Sequence, residues 1–173
     1  SLPKNIGTVI VKHANPCGVS IKKNHTESYL SALSCDPISA FGGIVSCNFK
    51  VTKNLAIELN KLFLEVIIAN SFDIGALKIL KAKKNLRLID ASNYFFNGNM
   101  RFISSNDEIL VQSEDINKFN SKDFKIVSKR KPNIQQMKNL IFAFNVCRYV
   151  KSNAIVLATN ETTAGIGLSL IHI

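Results

Sequence analysis

A lysine and a histidine stand side by side near the start of the chain, directly after a short apolar run. In the stretch VIVKHANPCGV, the residues Val9, Ile10 and Val11 are followed at once by Lys12 and His13. Buried strands of α/β proteins are short runs of branched apolar residues, and ligands bind at the carboxyl ends of such strands. The sequence therefore predicts a strand that ends in an ammonium and an imidazole at a binding site.

An adjacent imidazole and ammonium can carry out acid–base chemistry. A histidine titrates near neutral pH and can accept a proton, while a neighbouring cation stabilises negative charge as it develops. Taken alone, a histidine at a strand end is more often structural than catalytic, and a lysine there is usually solvated. A catalytic interpretation of Lys12 and His13 therefore needs support from the rest of the chain.

Alternating strands and helices must position this pair. Apolar runs predict strands at 44–47, 64–69, 86–89, 154–158 and 163–166. Helical spacing of apolar residues predicts helices capped by Thr26 and Thr52, a third helix over 74–80 and a long fourth helix with Pro132 in its first turn. Alternation of this kind predicts an α/β fold with a mainly parallel sheet covered by helices.

The region 91–123 interrupts the alternation. It is dense in Asn, Ser and Asp, and its short apolar runs at 101–103 and 108–112 predict a hairpin or an insertion. The fourth helix follows it and carries an apolar stripe at helical spacing, which we expect to face the core: Ile134, Met137, Leu140, Ile141 and Phe144.

The composition is that of a globular protein with a strong positive charge. The 173 residues are 46% hydrophobic and 20% charged, and the formal net charge is +10. Apolar runs are far shorter than the roughly 20 residues that cross a bilayer, so we expect a cytoplasmic protein without a membrane partner. The four cysteines show no CxxC spacing, which favours reduced thiols over disulfides or a metal site.

Five blocks of sequence, in this order and at these distances, resemble one family: VIVKHANPCGV, SAFGGIV, LEVIIA, VSKR and YVKSNAIVLA. The family is that of the bifunctional purine biosynthesis proteins, which join an AICAR formyltransferase to an IMP cyclohydrolase. The resemblance extends to about Gly167, and the KHANPCG block with its downstream partners is highly specific. With that block intact, the catalytic interpretation of Lys12 and His13 is favoured.

The resemblance implies an activity and roles for six residues. The family transfers a formyl group from 10-formyltetrahydrofolate to the 5-amino group of AICAR, an aminoimidazole carboxamide ribonucleotide, and no metal is expected. The lone pair of that amine is delocalised, so the amine must lose a proton as it attacks the formyl carbon. His13 matches the family's general base, and Lys12 matches a lysine beside the formyl oxygen. The matches to AICAR-binding positions are Phe41, Gly42, Glu65 and Asn153.

The resemblance also implies a fold and a division of the chain. The family's transferase region is a three-layer α/β/α, cytidine-deaminase-like architecture in two similar halves. Residues 1–128 match the first half, with 91–123 as the insertion or hairpin, and 129–167 match the start of the second half. Residues 168–173, LSLIHI, depart from the family, and we expect them to be the unrelated tail of a truncated reading frame.

Several expectations concern what this sequence lacks relative to the family. The cyclohydrolase domain would precede Ser1, so ring closure to IMP is not expected of this chain. Most folate contacts would come from the second half, so we expect the isolated chain to have little or no transferase activity. Family members are homodimers with composite sites, which we expect for the full-length protein. Apolar side chains near Leu140, Phe144 and Ile155 are expected to be exposed and to lower solubility.

Two other functions each fit a single feature. The stretch HANPC resembles the zinc deaminases, but Asn15 stands where their glutamate is expected and no Pro-Cys-x-x-Cys follows. A nucleic-acid-binding module would explain the charge of +10, but the basic residues are scattered without interleaved aromatic residues, so no nucleic-acid partner is expected. Metal analysis and a titration with AICAR and RNA would separate these functions from formyl transfer.

Overall fold

The computed structural model describes residues 2–94, 100–113, 122 and 124–168, with the side chain of residue 168 left out. The chain divides into two compact units, Ser1–Asn93 with Pro132–Ile173, and Tyr94–Lys131. No helix in the described ranges is long and apolar enough to cross a membrane.

The first unit is built on one sheet with helices packed against it. Its strands are β1 Gly7–Lys12, β2 Asn15–Ile21, β3 Gly43–Val51, β4 Leu64–Phe72, β5 Arg87–Asp90, β8 Ala154–Thr159 and β9 Thr162–Leu168. Its helices are α1 His25–Leu33, α2 Lys53–Asn60, α3 Ile74–Leu80 and α4 Ile134–Cys147. Every strand and helix predicted from the sequence for this unit is present, and the α/β class is confirmed.

The seven strands form a mixed sheet in the order β5-β4-β3-β1-β2-β9-β8. Only β3–β4 and β4–β5 are parallel, while β1–β2, β1–β3, β2–β9 and β8–β9 are antiparallel. The expectation of a mainly parallel sheet is therefore wrong. The cause is β2, which the sequence did not predict: the residues after His13 return as a second strand of a hairpin. Pro16 fits there because it lies at the bulge of the β1–β2 ladder.

Two apolar clusters lie on opposite faces of the sheet. Ile10 belongs to the larger cluster, with α1, α2 and α3, whereas Val9 packs against a smaller cluster with α4. Neighbouring residues of a strand point to opposite faces, so these helices cover both sides of the sheet. The larger cluster includes the most deeply buried side chains of this unit, among them Tyr29, Phe49 and Leu55.

Two helix starts differ from the predictions. The cap of α1 is Asn24, whose side chain accepts hydrogen bonds from the backbone of Thr26 and Glu27, so Thr26 lies inside the helix. The cap of α4 is Asn133, which forms a capping box with Gln136, so Pro132 precedes the helix. Asparagine is preferred over threonine as a helix cap because its side-chain oxygen accepts these orphan N–H bonds well, and each of the two helices begins directly after an asparagine.

The buried face of α4 is also rotated from the predicted stripe. Phe142 and Val146 are buried, whereas Ile134, Leu140 and Phe144 are exposed. Leu140, Phe144 and Ile155 have exposed fractions of 55%, 44% and 45%, and the expectation that apolar surface near them lowers solubility stays a prediction. The helix packs against β8 and β9, and its buried residues Phe142 and Val146 cluster with Val19 of β2.

The second unit contains the predicted hairpin, β6 Met100–Ser105 paired with β7 Glu108–Ser113. Asn106 at its turn has a positive φ of 51°. The alternative division of the chain at residue 128 into two halves stays a prediction, as does the origin of residues 168–173, whose side chains lie outside the described part of the chain.

Candidate functional site

The Lys12–His13 pair lies at the tip of the β1–β2 hairpin. Lys12 and Asn15 form the last ladder pair, and the two residues between them have left-handed backbones, with φ of 51° at His13 and 61° at Ala14. Two-residue hairpin turns need this conformation, which Asn-Gly usually supplies. Neither residue is glycine, so the turn carries roughly 1–2 kcal/mol of steric strain per residue. The strained turn presents His13 as an exposed side chain.

The ammonium of Lys12 is held by the loop that precedes β3. Its Nζ donates to the backbone carbonyls of Phe41 at 2.8 Å and Gly42 at 3.0 Å. Gly42 has a φ of +67°, and its N–H donates to the Phe63 carbonyl at 2.8 Å. An ammonium has three N–H donors, and two carbonyls fix its position here. The third donor is then available to a ligand oxygen.

These residues meet because several strand ends share one edge of the sheet. β1 is antiparallel to β3, so its carboxyl end lies beside the amino ends of β3 and β4. β2 begins at the same edge. β8 begins there too, because its first residue, Ala154, pairs with Leu168, the last residue of β9. The blocks KHANPCG, SAFGG and KSNA are therefore brought to one edge from distant parts of the chain.

A polar cavity of about 430 Å³ opens at this edge. It is lined by Lys12, His13, Asn15, Pro16, Cys17, Cys35, Asp36, Ser39, Gly165 and Ile166. The cavity lies between β2 and β9. The one ladder pair described between these strands, Ser20 with Thr162, lies at the end of the strands that is farther from the cavity. There Thr163 Oγ1 accepts the N–H of Val19 at 2.9 Å, so the strands are joined at that end and separate toward the site.

One wall of the cavity carries a carboxylate. Asp36 accepts the backbone N–H of Ser39 at 2.9 Å, and hydrogen bonds from Ser39 lower the pKa of this carboxyl below its usual value. The cavity thus combines a cation, an anion and an imidazole. This set suits a polar ligand that has both donors and acceptors.

Two thiols, Cys17 and Cys35, also line the cavity and are poorly ionised. Burial raises the pKa of Cys17 to about 11 and also raises the pKa of Cys35. The thiolate is the reactive form of cysteine, so a raised pKa makes a thiol inert near neutral pH. All four cysteines of the chain are free thiols.

We expect Cys17 to react slowly with iodoacetamide at pH 8. With a pKa of about 11, its thiolate fraction there is roughly a hundredth of that of a thiol at the ordinary value of 9.0. The alkylation rate should rise about tenfold per pH unit up to about pH 11. Peptide mapping by mass spectrometry gives the rate, and the urea-unfolded chain is the control. Rapid labelling of folded Cys17 at pH 8 would contradict the buried geometry.

Phe41 presents an aromatic face beside the ammonium of Lys12. Its side chain is 60% exposed, and its ring packs at a tilt of 41° on Phe63 with centroids 5.3 Å apart. An exposed ring held on one side by a second aromatic ring can stack on a flat heterocycle. The match of Phe41 to an AICAR-binding position of the family stays a prediction.

Glu65 and Asn153 do not line the polar cavity. Glu65 is an exposed residue at the bulge of β4, and Asn153 is exposed just before β8. Five strand spacings separate β4 from β8, which is roughly 24 Å along the edge at about 4.8 Å per strand. The structure thus places Lys12 and His13 at the cavity and holds Phe41 and Gly42 against Lys12, outside the cavity lining. The other two predicted residues lie on opposite flanks.

Asn15 is a polar residue of the site to which sequence reasoning gave no role of its own. It begins β2, lines the cavity, and its Oδ1 accepts the backbone N–H of Lys151 at 3.1 Å. Ser39, Cys35 and Asp36 are further lining residues without a predicted role. Membership of the HANPC stretch was the one available signal for Asn15, because its partner is 136 positions away in the sequence.

We expect Gly42→Ala to displace the ammonium of Lys12. A Cβ at this position would lie 2.7 Å from Lys12 Nζ, and alanine disfavours a φ of +67°. The left-handed backbone should lower the free energy of unfolding by about 1–2 kcal/mol. Urea denaturation measures that loss, and an NMR titration with AICAR measures binding. Gly165→Ala is the stability control, because a Cβ there meets no atom within 4 Å. Unchanged stability and binding would contradict the role of Gly42.

A metal centre finds no support in the described ranges. They contain no group of three or more His, Cys, Asp or Glu side chains that could hold a metal ion. The zinc-deaminase alternative has no ligand set there to build on.

Comparison with known proteins decides the family. Residues 2–170 match the family described as the AICARFT/IMPCHase bienzyme. The chain belongs to this family. Its relatives include bifunctional purine biosynthesis proteins PurH: that of Prochlorococcus marinus (strain MIT 9215) is 43% identical over 162 residues, and that of Parvibaculum lavamentivorans is 44% identical over 160 residues. That of Acetivibrio thermocellus is 42% identical over 162 residues.

The matches cover most of this chain but a minority of each relative. The aligned part is 92%, 91% and 92% of this chain, and 31%, 30% and 32% of the respective relatives. The chain thus corresponds to about a third of a bifunctional purine biosynthesis protein. The family membership predicted from the KHANPCG block and its partners is confirmed.

Proposed function

We propose that this chain provides the formyl-transfer centre of an AICAR formyltransferase. The observation that carries the proposal is the contact between the KHANPCG and SAFGG blocks, in which Phe41 and Gly42 carbonyls hold the ammonium of Lys12 beside His13. A cation and a base at one cavity mouth are what acylation of a weak amine requires. Ring closure to IMP needs no formyl donor and is not assigned to these residues.

In the proposed reaction, the 5-amino group of AICAR attacks the formyl carbon of 10-formyltetrahydrofolate. A C–N bond forms, the proton of the amine passes to the imidazole of His13, and negative charge develops on the formyl oxygen. Lys12 stabilises that charge through the N–H that its two carbonyl partners leave available. Collapse breaks the bond to the folate nitrogen, which takes up a proton as it leaves.

The remaining residues are proposed to bind AICAR. The exposed ring of Phe41 stacks on the imidazole, and the buried Gly42 lets the backbone approach it. Glu65 binds a nucleotide through its carboxylate and Asn153 binds one through its amide, as in the family pattern. Because roughly 24 Å separates their strands, we assign them to two sites of a homodimer of the full-length protein.

The fold and partners are proposed on the same basis. Helices on both faces of the mixed sheet are consistent with a three-layer, cytidine-deaminase-like domain. The full-length protein is proposed to be a cytoplasmic enzyme with AICAR and a folate formyl donor as substrates, and without a nucleic-acid or metal partner. The 173-residue chain by itself is proposed to lack activity.

The test uses a chimera in which this chain replaces the matching segment of the Prochlorococcus marinus relative. Formyl transfer is measured with AICAR and 10-formyltetrahydrofolate, and ring closure is measured separately with formylated AICAR. We expect the chimera to catalyse both reactions and the Lys12→Met variant to lose only the first. Lys50→Met, at an exposed lysine of β3, is the matched control.

Two results would overturn the proposal. One is a chimera that closes the ring but transfers no formyl group, and the other is a Lys12→Met variant that transfers it at the unmodified rate. Binding is checked on the 173-residue chain by NMR, where AICAR should shift the amides of residues 12, 13 and 42. An RNA titration of the same sample would favour the nucleic-acid alternative if it shifted these amides instead.

A further inference from the structure

At the cavity edge of the sheet, the side chain of Asn15 makes a hydrogen bond where no ladder bond between β2 and β9 is described. β2 and β9 pair only through Ser20 and Thr162, so no ladder hydrogen bond described between these strands reaches the end that carries His13. At that end, Asn15 Oδ1 accepts the N–H of Lys151 at 3.1 Å. The Asn15 side chain therefore spans the gap between the hairpin and the segment that leads into β8.

The two segments joined by Asn15 carry predicted site residues. Asn15 follows the left-handed pair His13–Ala14 directly, and its Nδ2 lies 3.5 Å from the carbonyl of His13. Lys151 lies two positions before Asn153. The half-buried side chain of Asn15 thus contacts the backbone of His13 and the backbone of Lys151, which lies near the proposed AICAR-binding residue Asn153. A shift of either segment would change the position of His13 relative to residues 151–153.

We propose that Asn15 is a positioning residue that fixes the His13 turn against residues 151–153 for formyl transfer. The inference rests on the proposed function for its catalytic part. Asn15 touches no reacting atom in this proposal, and it acts through the backbone of His13 and Lys151. The amide suits this task because its carbonyl oxygen accepts one N–H while its amino group donates to a carbonyl. The same side chain also borders the cavity, so a change there is felt at its wall.

The structural part is tested on the 173-residue chain without any substrate. Hydrogen exchange of the Lys151 amide should be at least tenfold faster in Asn15→Ala than in the unmodified chain. Asn15→Asp keeps an acceptor oxygen at the same position and should retain most of the protection. Equal exchange in all three proteins would show that the hydrogen bond does not form, and the proposal would fail whatever the activity of the protein.

The catalytic part is tested in the chimera with the Prochlorococcus marinus relative. Asn15→Ala should lower kcat for formyl transfer by about 10- to 100-fold, because a small misplacement of reacting groups has effects of that size. Asn15→Asp keeps the acceptor for Lys151 but loses the donor to the His13 carbonyl, so it should recover part of the rate, and ring closure should be unchanged. The matched control is Asn139→Ala. Asn139 Oδ1 accepts the N–H of Glu161 at the other end of β9, so this variant removes the same kind of hydrogen bond away from the cavity.

A double-mutant cycle separates positioning from a general loss of structure. If Asn15 acts through the segment that carries Asn153, the loss of formyl transfer in the double variant Asn15→Ala/Asn153→Ala should be at least threefold smaller than the product of the two single losses. Multiplicative effects, or a loss in Asn139→Ala as large as in Asn15→Ala, would overturn the proposal. A chimera that transfers no formyl group before mutation would refute the proposed function, while the exchange experiment would still test the hydrogen bond between Asn15 and Lys151.

Discussion

Replacing His13 by glutamine should lower kcat for formyl transfer by about 10²- to 10⁴-fold, the range that general-base catalysis contributes. Glutamine keeps hydrogen-bonding capacity at the tip of the hairpin but cannot accept a proton near neutral pH. The strained turn that carries His13 is exposed, so its fold does not depend on the imidazole. The measurement is steady-state formyl transfer by the chimera, and ring closure by the same sample shows that the protein is intact.

The pH profile makes the His13 experiment specific. A general base must be deprotonated to accept a proton, so the rate of the unmodified chimera should fall as the solution is acidified. The residual rate of His13→Gln should lack this acidic limb. The control is His25→Gln, which should keep the acidic limb. His25 is the first residue of α1, and its ring stacks on that of Phe49 with centroids 3.9 Å apart. A profile unchanged in His13→Gln would assign the proton transfer to another group.

Most elements of the fold could be predicted because their apolar residues repeat at the period of the element. The strands at β3, β4 and β5 are runs of branched residues, and α2 and α3 bury side chains at helical spacing. The strand β2 was missed because a proline and a glycine interrupt it. A bulge accommodates Pro16, and a bulge depends on the partner strand, which a local sequence pattern does not contain.

The site was predictable to the extent that its residues are adjacent in sequence or match a family block. Lys12 and His13 were predicted from their position after a strand, and Phe41 and Gly42 from the SAFGG block. The role of Asn15 was not predictable, because it depends on a partner in a segment that packs nearby only through the sheet order β2-β9-β8. The separation of Glu65 from Asn153 follows from the same strand order.

The second large effect is expected at Gly18, where the β1–β2 hairpin packs on α1. A Cβ at Gly18 would overlap the carbonyl oxygen of Ala32 and would lie 2.8 Å from its carbonyl carbon. Both atoms belong to the backbone of the last turn of α1, so no side-chain rotation relieves the overlap. Gly18→Ala should therefore lower the free energy of unfolding by about 3 kcal/mol or more, since the strand or the helix must move.

The displacement should reach the site, because Gly18 pairs with Ile10 in the same hairpin that carries His13. Urea denaturation of the 173-residue chain measures the loss, with Gly165→Ala as a control expected to change stability by less than about 0.5 kcal/mol. If Gly18→Ala does not fold, its loss of far-ultraviolet circular dichroism beside a folded control gives the same answer. A variant as stable as the control would mean that β2 does not pack against α1 at this distance.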